Sequence, residues 1–197
     1  SHYIEIINSS FSHCNALNIQ AHKAYISNNI FNNNISDYNL IRINNDGTES
    51  QIRFCLFDDN YYANGLILSQ SQYESVIDHC TFVGNAGGAL FQLESGNSTK
   101  LFNSIIQTDE EILYFNGTSN QSFVSSYNLI DFEEGNPCAV WGAVHEEMNT
   151  LYGDPLFVDP QNHNFSLLYG SPAIDAGDPN SAFDPDSTIT DLGVYYF

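Results

Sequence analysis

The chain has 197 residues, enough for one well-buried core and few for two independent ones. Its formal charge of -20 sets 24 acidic residues against four basic ones, Lys23, Arg42, Arg53 and Lys100. So few cations exclude a nucleic-acid partner and an electrostatic hold on an anionic membrane, and leave cations and polar glycans as partners. No run reaches the length of a membrane-spanning helix.

The chain opens in mid-pattern at SHYIEII, without a start Met or the basic-then-apolar plan of a signal peptide, and is expected to be a fragment or mature piece of a longer protein. From there, apolar runs with period-two alternation follow one another: YIEIINSSF, AYISNNIF, QIRFCLF, SVIDHCTF, KLFNSII and SFVSSYNLI. Such alternation in Ile, Val, Phe and Tyr is the strand pattern. Most of these runs end in a shared signature, FxxN at Phe31, Phe57 and Phe82, with weaker copies starting at Phe11 and Ile106; the steps are 20, 26, 25 and 24 residues. A second family of runs lies between them: ALNI, NLIRI, GLIL, ALFQL and EILYF.

A repeat of this length without helical periodicity cannot bury its own apolar face and must stack on copies of itself. Parallel stacking predicts an all-β solenoid over residues 1–132, with about seven coils in a rod roughly 30 to 35 Å long. Asn and Gly, as in FVGNAGGAL at 82–90, belong at the corners, where Asn tolerates left-handed backbone and bonds its own turn and Gly carries positive φ without strain. Cys55 and Cys80 fall at one position of successive coils. They are either stacked buried thiols or a disulfide; Cys14 and Cys138 have no partner in register.

Residues 133–153, EEGNPCAVWGAVHEEMNTLYG, break the period and read as an insertion packed on the rod. Residues 154–197 then give the strand-like PLFV and NFSLL and a Pro, Gly and Asp-rich close, predicted as the final coil and a cap that shields the solenoid's open end. The string DPLFVDPQNHNFSLLYGSPAIDAGDP, followed by DPDSTITDLGVYY, resembles the C-terminal end of bacterial secreted parallel β-helix proteins that carry cell-surface anchors. The FxxN and GGAL pieces resemble the repeats of polymorphic outer-membrane proteins and adhesins. These resemblances imply a right-handed β-helix, export and surface display. Where such proteins commonly have Asp-Gly-Thr-Arg, this chain has Asp186, Ser187, Thr188 and Ile189, and so lacks that Gly and Arg.

In the close, Asp175, Asp178, Asp184, Asp186 and Asp191 are the candidate ligands of a structural Ca2+, which takes six to eight oxygens from flexible loops. The competing reading makes them turn-capping, solvated side chains. No other cofactor motif occurs: the six histidines show no HxH or HExxH spacing, and nucleophile elbows and phosphate loops are missing. A polysaccharide lyase or hydrolase would need paired carboxylates or carboxylates with a base. Asp58, Asp59 and Arg53 are the nearest approach, and they read as turn and surface residues because neighbours on a strand point to opposite faces. Tyr38, Tyr61, Tyr62 and Tyr73, in or near turns, are candidates to stack on sugars or contact a partner.

The expected function is a non-catalytic extracellular or cell-surface module for adhesion, spacing or assembly. Glycans, other surface proteins or further copies of the chain would be its partners. The alternative is the C-terminal part of a polysaccharide-active β-helix enzyme.

Overall fold

The computed structural model describes residues 3–15, 17–44, 49–70, 73–94, 96, 98–109, 112–116, 122–132 and 144–197. The alternating runs pair with their counterparts one period away, always in parallel, and wind the chain into a β-solenoid of about five turns. One sheet stacks seven strands: Tyr3–Ile7, Lys23–Ser27, Ser50–Arg53, Glu74–Asp78, Ser98–Phe102, Ser122–Ser126 and Val144–Met148. A second stacks Ser10–Ser12, Ile30–Asn32, Leu56–Asp58, Thr81–Val83, Ile105–Gln107, Leu129–Asp131 and Leu151–Tyr152. The third runs through Ile19–Ala21, Asn39–Ile43, Tyr61–Gln70, Ala86–Glu94 and Leu113–Asn116, with Ile35–Ser36 beside Tyr61–Gln70. The turns number about five where seven coils were expected, and two of the sheets reach seven strands only by including Val144–Met148 and Leu151–Tyr152.

Register is set by the inward side chains. Phe11, Phe31, Phe57 and Phe82 are direct partners, continued by Ile106 and Ile130. Their rings lie 5.1, 4.9 and 4.9 Å apart and within 5° of parallel. Phe82 then meets Phe91 of the third sheet edge-on at 5.3 Å, which ties two faces across the interior. Ile26, Ile52, Ile77 and Leu101 make the matching column of the first sheet. A slip of one residue would turn every one of these side chains outward.

Corners solve the remaining problem, because a backbone that turns inside a protein must still be hydrogen-bonded. Between the first and second sheets the turning residue is left-handed in every coil: Asn8, Asn28, Phe54, His79, Asn103, Tyr127 and Asn149, with φ of 50 to 56°. At the next corner His13, Asn33, Asp59 and Gly84 do the same. The Asn of FxxN is not the left-handed residue but the one after it, and it faces inward. Asn34, Asn60 and Asn85 are buried, and each side-chain oxygen accepts the backbone N–H one coil back: Cys14, Asn34 and Asn60, all at 3.1 Å. Their amide nitrogens donate to the carbonyls of Phe11, Phe31 and Phe57 at 2.7–2.8 Å. The ladder spans coils, and Asn85 also makes the expected bond within its own turn, from Nδ2 to the Val83 carbonyl at 3.1 Å. In the same stretch Gly87 and Gly88 are required by close approach, since a Cβ on either would lie under 2 Å from the carbonyl oxygen of Tyr62 or Asn64.

Cys55 and Cys80 occupy the equivalent inward position of the first corner, in column with Asn29, Ser104 and Asn128. Both thiols are free and buried, so the stacked-thiol reading holds. Burial pushes the Cys80 thiol well above its ordinary range.

Two expectations are corrected. Of the expected insertion, residues 133–143, with Cys138 and Trp141, lie outside the described residues. Val144–Met148 and Leu151–Tyr152 instead continue the stack, in register with Ser122–Ser126 and Leu129–Asp131. The C-terminal segment, expected over the open end, lies along the side. Phe157, Phe165, Leu167, Ala173 and Leu192 pack on Leu56, Val83, Ile105 and Leu129, outward residues of the second sheet, while Met148, Leu151 and Tyr152 of the last coil stay exposed. The apolar outer row explains this, because a parallel sheet with apolar residues on both faces needs cover on both. An antiparallel pair, Phe157–Asp159 with Asn164–Leu167, starts the strap. Asn103 and Thr81 of the coils then receive Asp178, Gly193 and Val194 through bonds of 2.7–3.0 Å.

Asn60→Ala leaves the buried Asn34 N–H without its partner and removes the side-chain bond to the Phe31 carbonyl, and is expected to destabilise the protein by about 1–3 kcal/mol in urea unfolding. Cys55 and Cys80 should resist iodoacetamide in the native protein and both be alkylated after denaturation without reductant; a cross-linked Cys55–Cys80 peptide would contradict the free-thiol structure.

Candidate cation centre in the strap

Tight Asp and Pro turns fold the last part of the strap back on itself. Asp175 is left-handed at φ 55° and donates its N–H to Asp191 Oδ1 at 2.8 Å, and the N–H of Phe197 reaches Asp191 Oδ2 at 2.6 Å. The result brings Asp175, Asp184 and Asp191 together, one carboxylate oxygen of each within 4.8 Å of the others. Asp184 and Asp191 are buried and Asp175 is exposed. The Thr188 hydroxyl contacts Asp175 Oδ1, Asp186 Oδ1 at 2.8 Å and Asp184 Oδ1 at 3.3 Å. One hydroxyl proton can serve only one of these acceptors at a time, so the carboxylates crowd without enough donors.

Four of the five aspartates singled out from the sequence thus converge, counting Asp186 through Thr188 and Asp184. Asp178 stands apart: its Oδ1 caps a turn through the N–H and side chain of Asn180, both at 2.9 Å, and its own N–H is held by Asn103. The four Lys and Arg of the chain all precede the strap, so residues 154–197 contribute no Lys or Arg to offset the charge. Burial, and then the neighbouring Asp186 and Asp191, raise the carboxyl of Asp184, while hydrogen bonds from Asp184 and Thr188 lower Asp186. Burial together with the charges of Asp184, Asp78 and Asp191 also raises the Tyr196 phenol. Ser187 sits at φ 72°, a conformation Gly would adopt without strain, and Ile189 brings no guanidinium where the resembling proteins carry Arg. An all-oxygen donor set of carboxylates and a hydroxyl suits a hard cation such as Ca2+ and not zinc or copper.

A second acidic group was not foreseen in the sequence. Asp58, expected at the surface, is 1 % exposed, because the strap covers it. Its Oδ2 accepts from Asn32 Nδ2 at 2.5 Å and meets His163 Nδ1 at 2.7 Å, with Asp59 alongside. Burial raises the Asp58 carboxyl, and the Asp59 charge adds to this, against Asn32 and His163. His163, left-handed at φ 59°, closes the short turn between the strap's two strands and pins that turn to the coils. Arg53 goes elsewhere, 3.8 Å from Asp78, whose other oxygen meets His79 at 2.6 Å beneath Thr190. Of the three residues nearest to a lyase pattern, Asp58 and Asp59 thus lie together beside His163, while Arg53 is turned to Asp78. No local motif could have announced Asp58 with His163, since docking of the strap alone brings them together.

Comparison with protein-family models, with curated proteins and with solved structures finds no match for this chain.

The cluster predicts how the protein answers to calcium and pH. The folded state holds the Asp184 proton more tightly than the unfolded chain does, so without metal its contribution is lost as pH rises above the ordinary value of 3.8 through the raised one. Asp186 acts oppositely and its contribution is lost as pH falls below 3.8. Calcium should abolish the loss on the alkaline side, raising the melting temperature at pH 7 relative to EDTA. Asp184→Asn is expected to raise the metal-free melting temperature and to remove the calcium response; a melting temperature indifferent to calcium in the unsubstituted protein counts against the centre.

Proposed function

We propose that the chain is a non-catalytic module of an extracellular or cell-surface protein, acting in adhesion, spacing or assembly, with Ca2+ held by Asp175, Asp184 and Asp191 as a structural ion. The observation that carries this reading is the stack itself. Columns of Phe, Ile and Asn, bonded coil to coil, make a stiff body that presents rows of side chains at the strand spacing, the geometry of extended surface recognition. The strap adds to it, because apolar cover, the Asp58–His163 contact and the Asn103 bonds fasten the chain's last residues along several coils. A large negative charge keeps such a body soluble and repels polyanions. The resemblance of the FxxN repeats and of the strap sequence to bacterial surface β-helix proteins supports display outside the cell and a right-handed winding, which is also the hand that right-twisted strands favour.

The alternative, part of a polysaccharide-active β-helix enzyme, draws on one feature, a polar groove on the third sheet lined by Arg42 and Glu94. Reducing-end assays on pectin, xylan, β-glucan and mannan separate the two: no product is expected, and a clear product would overturn the non-catalytic reading. Brief protease treatment of intact cells that make the native protein should release its peptides, and peptides found only after lysis would count against surface display.

A further inference from the structure

We propose that the outer face of the third sheet carries a binding site for a neutral oligosaccharide, an inference that rests on the reading of the chain as a surface-recognition module. The face is concave there, with a groove of about 300 Å³, within the range of small-ligand sites. It crosses four successive strands, along the row Gln20, Arg42, Leu68 and Gln92, which are direct partners in register.

What lines the groove defines the ligand. Amide side chains dominate, from Asn18, Gln20, Asn64 and Gln92. Among the described residues, those of Asn18, Gln20 and Asn64 make no hydrogen bond and that of Gln92 accepts from Asn39 at 3.1 Å. An amide carries a donor and an acceptor side by side, the arrangement that adjacent sugar hydroxyls require. Tyr38 stands in the wall, 65 % exposed and with its backbone tied to Asn64 by a 3.0 Å bond, and presents a ring for the C–H face of a pyranose.

The charges cancel locally. Arg42 donates to Gln70 Oε1 from Nε at 2.9 Å and from Nη2 at 2.6 Å, and Gln70 in turn donates to Glu94, so one cation and one anion are joined through an amide. An anionic glycan would gain nothing there and would meet the repulsion of a chain charged at -20. Leu68 is the single aliphatic residue of the lining and is itself buried, which leaves no apolar pocket for the side-chain anchors of a peptide.

The test is a printed array of neutral glycans, including β-glucan, xylan, mannan and galactan oligomers, beside oligogalacturonates, followed by calorimetric titration of the hits. Saturable binding to a neutral oligomer, weakened roughly five-fold or more by Tyr38→Ala and by Gln20→Ala with unchanged melting curves, is the expected result. No saturable neutral hit, a preference for oligogalacturonate, or binding untouched by both substitutions would overturn the proposal. The two readings fail separately. Attachment to cells without neutral-glycan binding would remove the groove and leave the surface module, whereas cleavage of a bound neutral oligomer would keep the groove and remove the non-catalytic reading.

Discussion

Everything in this molecule depends on coil-to-coil hydrogen bonding that continues through the corners. Along the strands, parallel pairing supplies it without special residues. At the corners the backbone turns inside the protein, and an unpaired buried N–H or carbonyl would cost about as much as a lost hydrogen bond. The solution repeats in pairs: one left-handed residue turns the chain, and the next points inward to pass a side-chain bond to the neighbouring coil. Asn34, Asn60 and Asn85 do this at one corner. At the other corner Asn29, Cys55, Cys80, Ser104 and Asn128 share the position, and sulfur stands in where two coils lack an amide or hydroxyl.

That arrangement explains tolerance as well as constraint. Phe54 and Tyr127 are left-handed with bulky side chains, a conformation usually left to Gly, Asn or Asp. Phe54 recovers part of the cost by stacking on His79 of the next coil at 4.8 Å. The inward position must bond, while the turning position only has to be held, so surrounding coils can impose a backbone that the residue would not choose.

The faces of the solenoid then diverge in use. The second sheet carries an apolar outer row and is covered by the strap, whose own turns gather Asp175, Asp184 and Asp191 without any Lys or Arg. The third sheet keeps a polar outer row, in which Arg42 and Glu94 balance through Gln70. One rod thus has a face fastened under the strap and a face that stays polar.

Much of this was legible in the chain itself. Phe11, Phe31, Phe57, Phe82 and Ile106 recur at a near-constant step, and that step alone implies stacking, because so short a unit has no other way to bury its apolar side chains. Asn and Gly at the corners were legible too, but not which of the two neighbouring positions turns the chain and which bonds the next coil; that depends on the direction each side chain takes once coils are stacked. The sequence offered Asp175, Asp178, Asp184, Asp186 and Asp191 as one set, whereas the meeting of Asp175, Asp184 and Asp191, with the N–H of Asp178 held by Asn103 far away in the chain, depends on the fold. Likewise the strap's position along the side, the burial of Asp58 under His163 and the continuation of the stack through Val144–Met148 were decided only in three dimensions. Local pattern reports which way a residue faces within its own coil. What covers that face is chosen by complementarity between rows assembled from many coils, and no single stretch of sequence contains such a row.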